Sequence, residues 1–334
     1  MLKRLPRQNW EVILKGFAFL GTILLLFVFV AAGASASEKP YPNKPINMII
    51  GFSPGGATDL GSKIIAEKMG EFLGQPLIPT YKPGGGGILS ASYVAKAKPD
   101  GYTVLSILSF MNLPPEVKNL DYKLDDFILT GMWGRAPYYI CVKADSKWKT
   151  FKDLVEAAKK EPGKYTFGTI GTTGGGYFIY ELLVKYAGIK LTYVPFKSCA
   201  DTMTAVMGGH LDLYFCPGAG YISEKAVVRT LANGEEKRLE AYPEIPTIME
   251  FGYPVTFSTL YGFAFPKGTP KDVIDKFSTA QKRAIEKYSK ELNESYNKID
   301  MVPAFLDGPA TVKEFNRQYE IIRSLSKEIA QAGK

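Results

Sequence analysis

The stretch Gly51-Phe52-Ser53-Pro54-Gly55-Gly56-Ala57-Thr58-Asp59 separates an apolar run, Ile46–Ile50, from an amphipathic one, Leu60–Leu73. That order reads as a strand, a tight loop and a helix. Glycines let the backbone approach a ligand closely and adopt positive φ without steric cost. The helix leaves its first N–H groups unpaired at the positive end of its dipole. A corner built this way attracts anions, carboxylate as readily as phosphate. A plain strand-to-helix turn capped by Thr58 or Asp59 would use the same residues. The loop alone leaves both readings open, and the rest of the chain has to decide.

Outward from that corner, short apolar runs alternate with longer amphipathic ones. Leu77–Tyr81 reads as a strand, Gly84–Gly87 as a loop opening a helix near Ile88–Ala97, and Tyr102–Ile107 as a third strand. A second series follows. Tyr138–Val142, Tyr165–Gly168, Leu191–Val194 and Leu211–Phe215 read as strands, with helices at Phe151–Lys160, Tyr177–Ala187 and Ala200–Met207. Alternation of this kind predicts α/β architecture around a largely parallel sheet. Gly171-Thr172-Thr173-Gly174-Gly175-Gly176 repeats the glycine-rich strand-to-helix corner in the second half. Open α/β sheets bind ligands at the carboxyl ends of their strands, so two such corners facing each other would clamp a small molecule. From about Pro270 to Lys334 the pattern is charged and helical, with Val273, Ile274, Phe277 and Ile285 on one face.

The N-terminus predicts export. Lys3, Arg4, Arg7 and Lys15 precede the apolar run Phe17–Ala32, and Ala34-Ser35-Ala36 suits cleavage after Ala36. That run is shorter than the ~20 residues of a spanning helix, so removal is expected rather than retention as an anchor. Cleavage would lower the net charge from +8 to +5, because four basic residues leave together with Glu11. A surplus that small, with no block of five like charges, is no nucleic-acid footprint. It suits an exported protein with an anionic ligand.

Cys141, Cys199 and Cys216 are too few and too far apart for a metal ligand set, and at most one disulfide can form. A Cys199–Cys216 bridge is compatible with export, but buried free thiols are the expected state. The single histidine, His210, argues against a hydrolase, since serine and cysteine hydrolases use a histidine base and zinc sites need several ligands. Gly84–Gly87 lacks the Lys-Ser/Thr of a phosphate loop, and Gly51–Gly56 lacks the dinucleotide spacing. No nucleotide, metal or other cofactor and no catalytic residue is expected. In the second corner, Thr172 and Thr173 offer hydroxyls beside backbone amides, which together can hold a carboxylate without a counter-ion.

An ordered set of motifs then carries a resemblance. It runs through Tyr41-Pro42-Asn43-Lys44-Pro45-Ile46, Pro54-Gly55-Gly56-Ala57-Thr58-Asp59, Leu73-Gly74-Gln75-Pro76 and Pro83–Gly87. It continues through Lys98-Pro99-Asp100-Gly101-Tyr102-Thr103, Val194-Pro195-Phe196-Lys197, Gly208-Gly209-His210-Leu211-Asp212, Pro246-Thr247 and Gly262–Pro270. The series resembles the Bug family, the extracytoplasmic solute receptors of tripartite tricarboxylate transporters. The resemblance implies a periplasmic-binding-protein fold, type II-like. Its two α/β lobes would comprise 37–137 plus 260–334 and 138–259, after a signal peptide at 1–36. Hinge strands are expected near Ala136–Val142 and Leu260–Pro266.

The resemblance also implies a ligand set. Phe52, Ser53, Gly55, Gly56, Thr58 and Asp59 would grip a carboxylate from one lobe. Gly171, Thr172, Thr173, Gly176 and Tyr177 would do so from the other. Ser198, Cys199, Cys216, Pro217 and Tyr261 would shape the remaining pocket. The chain departs from the family pattern at Gly174, Tyr177, Ser198-Cys199, Cys216 and Leu260, where serine, histidine, a glycine-containing pair, aspartate and tryptophan are frequent. A less acidic, more aromatic pocket predicts an organic acid with apolar bulk and no ammonium group. The implied partners are that ligand and a membrane permease pair, with the receptor itself a monomer in the periplasm. Two other readings stay open: an exported hydrolase using Cys216 or Ser198, and a ligand-sensing module for a membrane sensor.

Overall fold

Two glycine-opened α/β units recur along the chain, and the computed structural model shows how they join. It describes residues 40–114, 117–171, 174–218 and 227–332. In the first unit β1 (Ile46–Ile50) runs into α1 (Ala57–Leu73), which ends at Gly74 with φ 72°. Only glycine takes that left-handed value cheaply, and its N–H closes on the Gly70 carbonyl at 2.9 Å. β2 (Leu77–Tyr81) and β3 (Thr103–Leu108) flank β1 in parallel, with α2 (Ile88–Ala95) between them in sequence. In the second unit β5 (Thr166–Ile170) is flanked in parallel by β6 (Thr192–Phe196) and β7 (Leu213–Pro217). α3 (Phe151–Lys160), α4 (Gly175–Ala187) and α5 (Cys199–Met207) belong to this unit.

Between them runs β4 (Phe127–Lys143), 17 residues long. Its first part pairs antiparallel with β9 (Ser258–Pro266) and β10 (Val302–Asp307). Its second part pairs with β7 and with β8 (Val228–Asn233). The strand orders are therefore β2-β1-β3-β9-β4-β10 and β6-β5-β7-β4-β8. Each half holds three parallel strands, one antiparallel strand arriving from the other half and a fifth strand beyond it, and β10 adds a sixth to the first half. The expected parallel core is present, and the crossing strands are its antiparallel part. Three helices complete the fold: α6 (Lys271–Lys287), α7 (Ser289–Asn297) and α8 (Gly308–Ala332). Phe315 of α8 packs in the core of the first half, while Ile322 and Leu325 pack in that of the second. Lys185 of α4 meets Glu328 of α8 at 2.8 Å.

Two features differ from the sequence expectation. The tail read as helical contains β10, an edge strand whose Pro303 has no further neighbour needing its missing N–H. The cysteines expected as free thiols include a disulfide: Cys199 at the start of α5 and Cys216 on β7 are bonded, with Cα atoms 6.0 Å apart. The sheet brings the strand end and the helix start to that spacing, which sequence separation alone does not reveal. Cys141 remains a buried free thiol, and burial pushes its pKa up to about 11.

Candidate ligand-binding site

The first corner is organised by Asp59. Its carboxylate lies buried, 1% exposed, and is fully engaged inside the protein. Tyr81 donates its hydroxyl at 2.9 Å, the Gly55 N–H donates at 2.8 Å, and Lys63 approaches at 2.8 Å. Burial opposes ionisation, but the Gly55 N–H, Lys63 and Tyr81 together hold the carboxyl below its usual range. Asp59 thus fixes the loop, and Gly55 can turn at φ 86° because it has no side chain. Its part is to shape the corner from within.

This arrangement predicts a pH-dependent stability. A depressed carboxylate contributes stability above its unfolded pKa of about 4, and that stability is lost as pH falls through the folded value. Asp59→Ala should cost about 2 kcal/mol at pH 7, from lost charged hydrogen bonds. Urea denaturation at pH 7 and pH 3 should show the gap to wild type shrinking in acid. A gap independent of pH would contradict the role given to the charge.

Thr58, on the first turn of α1, is buried, and its side chain meets the Tyr261 phenol. Tyr261 also meets Thr259, two residues earlier on the same face of β9. The Thr259 hydroxyl donates to the Tyr138 oxygen at 3.2 Å. The Tyr138 oxygen in turn lies against Gly175 in the first turn of α4, where the Gly175 and Gly176 amides favour the ionised phenol. Burial pushes the Tyr138 phenol up to about 12, with Thr259 and the two amides acting in the opposite direction. A chain of four hydroxyls thus joins the N-termini of α1 and α4 across the crossing strands. It brings Thr58, Tyr261 and Gly176 together. Tyr138 and Thr259 were not anticipated, although period-2 alternation from Tyr261 places Thr259 on its face.

The other expected residues take separate positions. Phe52 is half-buried and meets Phe110 edge-on, with ring centres 6.2 Å apart, while Ser53 and Gly55 are exposed. Gly56 caps α1 without a side chain. The Gly171 carbonyl accepts the Tyr193 hydroxyl. Thr172 and Thr173 lie outside the described residues. Tyr177 packs against Tyr193 at 5.2 Å, and burial and Glu181 one turn along its own helix hold its phenol protonated. The Ser198 hydroxyl caps α5 by accepting the Asp201 N–H at 3.2 Å. Pro217, half-buried, ends β7, and the next residue, Gly218, donates to the Pro137 carbonyl at 3.1 Å beside the crossing.

Two of these placements bear on the hydrolase reading. Cys216 has no thiol to act with, since its sulfur is bonded to Cys199. The Ser198 oxygen accepts a helix-cap hydrogen bond, and His210 is exposed on the turn after α5. What the two corners do offer is helix-end amides and hydroxyls, the chemistry that receives an anion.

Comparison with known proteins agrees with this geometry. Residues 62–326 match the family model described as tripartite tricarboxylate transporter family receptor. A protein encoded in the gbd 5' region of Cupriavidus necator is 31% identical over 280 residues, covering 83% of this chain and 85% of that protein. The periplasmic binding protein BugD superposes with a TM-score of 0.75 at 26% identity, over 88% of this chain and 99% of BugD. The Rhodopseudomonas palustris protein Rpa4515, solved with adipate, shares the fold with a TM-score of 0.78 at 23% identity, over 86% and 97% of the two chains.

Proposed function

This chain belongs to the tripartite tricarboxylate transporter receptor family of solute-binding receptors, and from that premise we propose that it captures a small organic acid between its lobes. One observation carries the reading. The hydroxyl chain from Thr58 through Tyr261, Thr259 and Tyr138 to Gly175 and Gly176 ties the two helix N-termini into one unit. Two positive helix ends held at one crossing can serve one anion. The grip comes from the corners 52–59 and 171–177, with Thr172 and Thr173 adding hydroxyls. A ligand touching both lobes, 37–137 with 260–334 and 138–259, favours closure through its differential affinity.

The loaded receptor delivers its solute to the permease subunits of a tripartite tricarboxylate-type transporter. It acts as a monomer in the periplasm after cleavage behind Ala36, without catalysis. The pocket side contributed by Cys216 is uncharged, since a disulfide sulfur has no proton to lose. Together with the aromatic Tyr177 this favours a carboxylate with apolar bulk, and adipate in Rpa4515 is of that kind.

Calorimetric titration with mono-, di- and tricarboxylates tests the reading. Binding of at least one acid is expected, and binding of amino acids alone would refute it. Replacing Thr172 and Thr173 together by alanine should weaken binding about tenfold while leaving the thermal transition in place, the size of one lost charged hydrogen bond. Unchanged affinity would remove the second corner from the grip. A pull-down from membranes separates a permease partner from a membrane sensor.

A further inference from the structure

The crossing strands have two faces, and only one carries the hydroxyl chain. On the other, Arg135 and Tyr139 of β4 and Ser258 of β9 line a cavity of about 650 Å³. That volume lies within the range of small-metabolite sites. Its walls come from both halves of the fold, through the segment after β8, the entry to β10 and the first turns of α8. None of the residues expected to grip the transported solute lines it.

The polar groups of this cavity are positioned but incompletely used. Arg135 reaches Glu235 through one terminal nitrogen at 3.2 Å, and Ser258 donates to the other oxygen of Glu235. Gln318 of α8 donates its amide to the Ser258 carbonyl at 3.0 Å. These bonds hold three further atoms in place: Arg135 Nε, the Tyr139 hydroxyl and Gln318 Oε1. All three are buried and have no partner within the protein. Buried polar groups in folded proteins are nearly always bonded, so a cluster of three around one cavity points to a molecule that completes them.

We propose that this cavity is a second ligand site, specific for a small hydroxycarboxylate. Arg135 Nε and the Tyr139 hydroxyl are donors and suit a carboxylate oxygen, although the terminal nitrogens of Arg135 and the rim residue Arg317 are paired with Glu235 and Glu314 of the same wall. Gln318 Oε1 is an acceptor and calls for a hydroxyl on the same molecule. A purely apolar acid would leave that acceptor unmet. Because the walls belong to both halves, occupancy here also touches the crossing about which the lobes close.

Calorimetric titration of the full chain with lactate, glycerate, malate and citrate tests the site. At least one acid should fill two classes of site on the wild type. Tyr139→Phe removes an oxygen without a partner in the protein, so the fold should persist, while affinity at one class falls about tenfold or more. Arg317→Gln, a change at a half-exposed rim position, should weaken the same class. Thr58→Val should affect only the other class, which keeps the two sites distinguishable. A single class for all four acids, or a Tyr139→Phe protein that titrates like wild type, would overturn the second site and leave the first untouched.

Discussion

Gly176→Ala is expected to abolish binding of the organic acid and to destabilise the protein by about 1–3 kcal/mol, the usual cost of overpacking. A Cβ at position 176 would lie 2.6 Å from the Phe215 carbonyl oxygen and closer still to the Thr169 hydroxyl. The first of these is backbone in the middle of β7, so it cannot swing aside. The helix start must move instead, and with it the amides that Gly175 and Gly176 direct at Tyr138. Displacement there breaks the hydroxyl chain at its second-half end and shifts the corner that grips the ligand. Gly70→Ala supplies the contrast. It sits inside α1, where a Cβ meets nothing nearer than 3.7 Å. Removing a helical glycine there should stabilise by up to about 1 kcal/mol with no effect on affinity. Calorimetry for binding and urea unfolding for stability read both. Normal affinity in Gly176→Ala would detach the start of α4 from the site.

That contrast shows which features can be read from residues alone. Gly51–Asp59 was legible because an apolar run, glycines and an amphipathic run stand in immediate succession. The crossing strand was legible only from Tyr138 onward. Its first part contains Gly131 and Gly134, and register shifts on either side of Gly131 and Met132 interrupt the period-2 pattern. β10 was hidden in a charged tail by Pro303. Within the site, Thr58 and Tyr261 could be anticipated. Tyr138 and Thr259 could not, since their contact spans 121 residues and depends on two strands crossing. Asp59 was found for one reason and acts for another. A carboxylate beside a glycine loop looks like a ligand contact, yet its oxygens are occupied by Gly55, Lys63 and Tyr81.

The cysteines give the second large effect. Reducing the Cys199–Cys216 bond, or replacing both residues by serine, should cost about 3 kcal/mol, the entropy returned to an unfolded chain freed of a loop this long. The sequence separation is 17, and the loop it closes contains α5 and the turn at His210. The bond also ties the end of β7 to the start of α5, so those two edges of the second half stay in register. Cys141 follows a different rule. It is buried and its thiol is held protonated by burial, pushed up to about 11, so thiolate chemistry at neutral pH is suppressed. Alkylation with iodoacetamide should therefore label no cysteine in the native protein. One should react after denaturation alone, and three after denaturation with reductant. Urea curves with and without reductant should separate by the stated energy. Three reactive thiols without reductant, or superimposable urea curves, would show that this half of the fold does not depend on the bridge. An oxidised bridge that contributes stability is also what an exported chain can keep, since the periplasm sustains disulfides that a reducing cytosol would open.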